Sequence, residues 1–239
     1  RKADAVTGQT KGIVKNIVDR GFDEKKVHLI TNGVDTEFFK KENRDDEFRK
    51  SIGIENKFAA CYGGIHGLAQ GLEVIINAAE ILKDKENIQF VFVGDGPEKK
   101  KLIDMVNNKG LKNVTFLPVQ PKANMPRIIA SMDASVIPLK KLDLFKGALP
   151  SKMFEALSTE LPIVLAVEGE AANLINEAKA GIVVEPENSK AMADAILKLA
   201  EDVELRRTLG SNGRNYVMKN YSRDTITKKL EDILENIKR

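Results

Sequence analysis

Within one short stretch of the chain, Gly147-Ala148-Leu149-Pro150-Ser151-Lys152-Met153-Phe154-Glu155-Ala156-Leu157, stand a glycine, a Pro-Ser step, a lysine and a glutamate. A helix is expected to start at the Pro-Ser step, with Ser151 as its N-cap and the side-chain oxygen taking a free backbone N–H of the first turn. The N-terminal end of a helix carries partial positive charge and unpaired N–H groups, and Lys152 adds a full charge beside them. Lys152 is expected to be exposed there. Such an arrangement can hold phosphate. Glu155, one turn later, is placed to accept hydrogen bonds from the hydroxyls of a sugar attached to that phosphate. The plainer reading is a capped helix with a surface lysine, and the surrounding elements decide between the two.

Those elements alternate. Lys57–Tyr62, Ile88–Val93, Val114–Phe116, Asp133–Pro138, Pro162–Val167 and Gly181–Val184 are short apolar, β-rich runs, and helical patterns separate them. Leu72, Ile75, Ile76, Ala79 and Leu82 mark one core-facing helical stripe. Continuously apolar strands joined by helices imply parallel pairing with both faces of the sheet covered. The expected architecture is α/β, a Rossmann-like doubly wound parallel sheet. Ligands of such sheets bind at the carboxyl ends of the strands, near the switch in strand order. The loops 62–71, 94–97, 117–120 and 147–155 all fall at those ends. Gly94-Asp95-Gly96-Pro97 closes the second run, and Pro97 suits the first turn of a following helix.

The flanks read differently. Residues 1–30 form a small helix-plus-strand unit, and Asn32-Gly33 is a turn. The stretch Lys40–Lys50 reads as a linker and a solvated helix start. The last helix, from Arg223, carries Ile226, Leu230, Ile233, Leu234 and Ile237. The expected division is 1–40 for a remnant of a preceding domain with its linker, 41–222 for the Rossmann-like domain, and 223–239 for a crossing helix. The chain begins with Arg1 and reads as a fragment.

Composition narrows the possibilities. In 239 residues, apolar residues make up 42% and charged residues 31%, values of a globular domain with a real core. The 38 basic and 35 acidic residues are interspersed, which makes a solvated surface and not a nucleic-acid footprint. One cysteine, Cys61, excludes an internal disulfide and reads as a small buried hydrophobe. Two histidines and one cysteine leave little for a thiolate or imidazole metal site.

Several segments, in order, resemble the C-terminal, donor-binding half of a GT-B glycosyltransferase of the large retaining family 4. They are Asn32-Gly33-Val34-Asp35 with Phe38-Phe39, Tyr62-Gly63-Gly64, Phe92 through Pro97, Val114 through Leu117, Asp133 through Pro138, Pro150-Ser151-Lys152 with Phe154-Glu155, and Gly181 through Val184. Gly210 through Arg214 and Tyr221-Ser222-Arg223 complete the series. Gln70-Gly71-Leu72 and the Pro-Ser-Lys step resemble the bacterial and archaeal cell-surface polysaccharide branch. The resemblance implies a nucleoside-diphosphate sugar, a UDP-sugar in the first instance, as donor and a glycan or lipid-linked acceptor. It implies metal-independent transfer with retention, without a cofactor, by a cytoplasmic enzyme with possible peripheral membrane association. The implied donor-binding residues are Gly63, Gly64, Leu117, Val119, Leu149, Ser151, Lys152 and Glu155. Gly63 and Gly64 let the backbone approach the diphosphate, the Leu117–Val119 loop holds the base through main-chain groups, and Glu155 binds ribose.

The chain departs from that pattern at several points. Gly147 stands where the first glutamate of the family's pair would fall. The loop Ile65–Gln70 has neither arginine nor lysine, which leaves Lys152 as the principal side-chain cation. Glu160 takes a helix-ending position where glycine is usual, and implies a mildly strained cap. His66 is a minor candidate for donor contact, and His28 reads as structural. The N-terminal, acceptor-binding half with its catalytic residues is missing from this reading. A nucleotide-binding module without chemistry and a GT-B-fold sugar-nucleotide epimerase are the other two readings.

Overall fold

The computed structural model describes residues 3–237; Arg1, Lys2, Lys238 and Arg239, the outermost parts of the two expected flanks, lie outside the described residues. The chain opens with β1 (Val6–Gly8), α1 (Lys11–Asp19) and β2 (Val27–Leu29), whose two strands pair in parallel as a separate ribbon. There follow α2 (Asp46–Ser51), β3 (Phe58–Gly63), α3 (Glu73–Ile81), β4 (Ile88–Val93), α4 (Lys99–Asn108), β5 (Val114–Leu117) and α5 (Met125–Ala130). The second half holds β6 (Ala134–Pro138), α6 (Lys152–Ser158), β7 (Ile163–Ala166), α7 (Glu170–Ala178), β8 (Gly181–Val183), α8 (Ser189–Glu201), α9 (Val203–Tyr221) and α10 (Arg223–Ile237).

The main sheet has six strands in the order β5-β4-β3-β6-β7-β8, all parallel. Every expected strand is present. Strand order runs outward in both directions from the β3–β6 pair, which is the switch point. Alternation along each strand divides the core in two. Ala59, Cys61, Val91, Val93, Ile163 and Leu165 face α5, α6, α7 and α9 through Ile128, Phe154, Leu174 and Val217. Phe58, Ala60, Tyr62, Ile88, Phe90 and Phe92 face α3, α4 and α8 through Ile75, Leu102 and Ile196.

Two details differ from the sequence reading, and a third agrees with it. The charged stretch before β3 is not wholly solvated: Arg49 is buried, and its guanidinium donates to the carbonyls of Ser131 (2.6 Å), Ile54 (2.9 Å) and Lys57 (2.6 Å) and pairs with Asp133 at 3.1 Å. Asp133 also accepts from the Ala59 N–H at 2.8 Å, so one ion pair ties α2 to the starts of β3 and β6. Helix α4 begins at Lys99, with Pro97 and Glu98 in the turn before it. Glu160 does adopt the left-handed conformation at φ 59°, with its carboxylate 2.8 Å from the Lys41 ammonium.

The first unit and the sheet domain meet closely. Val34 and Ser222 form a parallel bridge, with the Val34 N–H donating to the Tyr221 carbonyl and the Arg223 N–H to the Val34 carbonyl, both at 2.9 Å. At the other end of the unit, Glu170 on α7 accepts from the first-turn N–H groups of α1, Lys11 at 2.8 Å and Gly12 at 3.2 Å. That carboxylate satisfies donors that a helix start leaves open.

Candidate donor-binding site

At the carboxyl ends of β3 and β4 lies a cavity of about 430 Å³. Gly63, Gly64 and Ile65 line it from β3, and Val93, Gly94 and Asp95 from β4. Val119 and Gln120 follow β5, Met125 opens α5, and Ser151, Lys152 and Glu155 come from the start of α6. Two crossing backbones shape its floor. A Cβ on Gly94 (φ +133°) would meet the Gly64 carbonyl oxygen at 2.1 Å, so no larger residue fits without moving the loop. Gly64 (φ +142°) is itself 2.7 Å, at the place its Cβ would take, from the Lys152 Nζ.

The start of α6 departs from the expected cap. Ser151 already has helical angles (φ −57°, ψ −31°), and its side chain makes no capping bond. Pro150 is the reason: its carbonyl accepts from the Met153 N–H and that of Ser151 from the Phe154 N–H, both at 3.0 Å, so the first turn is closed by main chain. The exposed Ser151 side chain therefore stands at the rim of the cavity. Lys152 is not exposed as expected. Its stem is half-buried, and its ammonium lies 2.9 Å from the Tyr62 hydroxyl and 4.1 Å from the centre of the Tyr62 ring. Burial brings its pKa from the ordinary 10.5 down to about 8, against the pull of Glu155. Burial likewise pushes the Glu155 carboxyl up, which Lys152 and Lys122 partly oppose.

Of the eight residues expected to bind donor, Gly63, Gly64, Val119, Ser151, Lys152 and Glu155 line this one cavity. Leu117 does not: it ends β5, with its half-buried side chain packed on the core and its carbonyl 3.4 Å from the Lys99 ammonium. Leu149 lines a second cavity, of about 700 Å³, between α1 and the turn Asp143–Gly147, together with Gly12, Ile13 and Gly147. Pro150 separates it from the α6 start and directs it the other way. His66 is fully buried among Tyr62, Phe92 and Phe116, at ring-centre distances of 5.9–6.2 Å. Neither ring nitrogen has a partner, and burial, with Lys99 next, pushes its pKa down to about 4. Sequence reasoning reached Asp95 and Gln120 only as members of the loops 94–97 and 117–120, and missed Tyr62 as the partner of Lys152. Tyr62 offered a signal, since an aromatic with a polar tip directly before a glycine pair must find a partner for its hydroxyl.

Comparison with known proteins identifies the family and the fold. The chain is 28% identical over 198 residues to alpha-D-kanosaminyltransferase of Streptomyces kanamyceticus, covering 82% of this chain and 50% of the relative. It is 28% identical over 232 residues to the putative colanic acid biosynthesis glycosyl transferase WcaI of Escherichia coli K12, covering 94% and 54%. The chain thus spans about half the length of these curated relatives. Its fold is shared with Anabaena HepE, solved in complex with UDP and glucose, at a TM-score of 0.85 and 21% identity over 98% of this chain and 63% of HepE. Residues 43–216 match the family described as Glycosyl transferases group 1, and the chain belongs to that family.

Proposed function

We propose that this chain is the donor-binding half of a retaining glycosyltransferase that takes a UDP-sugar and serves a glycan or lipid-linked acceptor. The observation that carries the reading is the meeting of Gly63-Gly64, Lys152 and Glu155 in one cavity at the switch point of the sheet. The glycine backbone and the Lys152 ammonium receive the diphosphate. Glu155, at i+3 from Lys152, reaches the ribose hydroxyls, and the main chain around Val119 and Gln120 flanks the base. As the bond from the anomeric carbon to the β-phosphate oxygen breaks, its electron pair goes to phosphate, where Lys152 stabilises the charge without a metal ion. The acceptor oxygen bonds to the same face of that carbon, and its proton leaves with the diphosphate. Solved structures of the same fold support the choice of UDP: HepE is described with UDP-glucose, and Staphylococcus aureus TarM with UDP.

Calorimetry separates these roles. Glu155→Gln is expected to weaken UDP binding far more than binding of inorganic pyrophosphate, because only the nucleoside part meets the carboxylate. Equal losses for both ligands would assign Glu155 to the fold. UDP affinity that survives EDTA supports diphosphate binding without metal, and affinity abolished by EDTA would overturn that part. The chain alone is expected to bind UDP-sugar and transfer nothing, since the acceptor side belongs to the remainder of the enzyme. Sugar transfer at enzyme-like rates by this chain would refute the assignment of the acceptor side elsewhere.

A further inference from the structure

Tyr62 is buried to 1% exposure at the end of β3, and its hydroxyl makes two contacts of different kinds. It donates to the Ile65 carbonyl at 2.6 Å and stands 2.9 Å from the Lys152 Nζ. A phenol has one proton. With that proton committed to Ile65, only a lone pair faces Lys152, so Lys152 must be the donor. A positively charged donor satisfies this lone pair best. The ring adds to the effect, because the ammonium lies 4.1 Å from its centre. The Ile65 carbonyl belongs to the loop that lines the cavity beside Gly64, and the Gly64 backbone closes over the same ammonium.

We propose that Tyr62 is a positioning residue for the diphosphate: one hydroxyl fixes both the Lys152 ammonium and the Gly64–Ile65 loop, so that cation and backbone meet the phosphates in a preset arrangement. This deepens the proposed donor binding and rests on it. The chain has no arginine or lysine in the loop Ile65–Gln70, so the aim of a single ammonium matters more than it would in a cluster. The groups facing Lys152 are few. Cys61 and Tyr62 come from β3, Glu155 from its own helix, and His66 from the loop. Cys61 and Tyr62 are held neutral by burial, the thiol pushed up to about 12, and His66 is neutral above pH 5. Among the described residues Glu155 is thus the one carboxylate opposite the ammonium, and the Tyr62 lone pair adds to its support.

Three ligands and one spectroscopic signal test this. Tyr62→Phe keeps the ring that packs on Phe92 and removes the oxygen. It is expected to weaken pyrophosphate and UDP about tenfold, the loss of one hydrogen bond to a charged group, and to leave uridine unchanged. The alkaline limit of pyrophosphate binding is expected to move to lower pH, since a bond favouring the charged lysine is gone. In a Lys152→Met background the same change is expected to cost pyrophosphate little further, because Tyr62 acts through the lysine. In the unmutated protein without ligand, ring current is expected to shift the Lys152 Hε resonances upfield. Unchanged pyrophosphate affinity in Tyr62→Phe, equal loss of uridine and pyrophosphate, or Lys152 Hε resonances at random-coil positions would each overturn the proposal. If the unmutated protein binds neither UDP nor pyrophosphate, the donor-binding reading fails, while the Hε resonances still decide whether Tyr62 holds the lysine.

Discussion

At the scale of single residues, Lys152 concentrates the chemistry of the site. Removing it in Lys152→Ala is expected to weaken UDP binding by about 1.5–3 kcal/mol, the loss of a charge-assisted contact. Titration adds a second expectation. Because the folded lysine has a pKa of about 8, UDP affinity should hold steady through neutral pH and decline above pH 8 as the ammonium is lost. Stability should move oppositely. Between the folded value of about 8 and the ordinary 10.5 the unfolded chain binds the extra proton, so folding stability gains with rising pH across that window. Chemical denaturation at pH 7.5 and 10, compared between the unmutated protein and Lys152→Ala, checks the sign: the gain should shrink in the variant. Identical pH slopes would mean that the lysine is not buried in solution. The sequence revealed the type of this residue and its neighbours but not its environment. Burial of Lys152 depends on Tyr62, ninety positions away in the chain, and nothing local to the Pro-Ser-Lys step encodes it.

At the scale of elements, the six strands were readable because a parallel sheet covered on both faces demands unbroken apolar runs, and Ile88–Val93 is buried at all six positions. What local pattern could not show was how charged segments end up inside. Arg49 lies among acidic and basic neighbours that are exposed, yet its guanidinium spans three carbonyls, two in the turn before β3 and one at the end of α5. Loop direction was equally hidden: Pro150 sends Leu149 toward α1 and Ser151 toward the cavity, a division that the sequence did not disclose. The β3–α3 and β4–α4 loops make a prediction of their own. They are knit together by His66, whose N–H donates to the Asp95 carbonyl at 2.7 Å and whose carbonyl accepts from the Glu98 N–H at 2.9 Å. Its imidazole resists protonation down to about pH 4, while an unfolded histidine takes a proton near 6.5. Acid therefore favours unfolding, and stability from this group is lost as pH falls across that interval. His66→Phe, with a ring suited to the same aromatic surroundings, should flatten the decline in urea midpoint between pH 6.5 and 4. An unaltered decline would place the acid sensitivity in other groups.

At the scale of the whole molecule, α10 presents Leu230, Leu234 and Ile237 at 37–50% exposure, while Ile226 alone is buried. Such a stripe invites self-association. Helix α10 docks on α9 and α1 on the Asp143–Gly147 turn, and Ile13 and Phe22 of the first 30 residues are exposed as well. Replacing Leu230 and Leu234 with Lys should abolish concentration-dependent association in sedimentation while the melting temperature stays within the small range of surface substitutions, about 0.5 kcal/mol in stability. A monomer at all concentrations before the substitutions would refute it. The Val34–Ser222 bridge carries a different lesson. The backbone reaches the sheet domain and departs from it through two hydrogen-bonded neighbours, so everything between those residues is strung between two chain ends that lie side by side. A module attached in this way can be lifted out and spliced into a host loop whose ends lie only one strand spacing apart, about 5 Å, without stretching either chain. A rigid-body swing of the sheet domain about Val34 and Ser222 would have to break the Glu170 contacts to Lys11 and Gly12, which makes that pair the hinge to lock with a cross-link and Glu170 the latch to release.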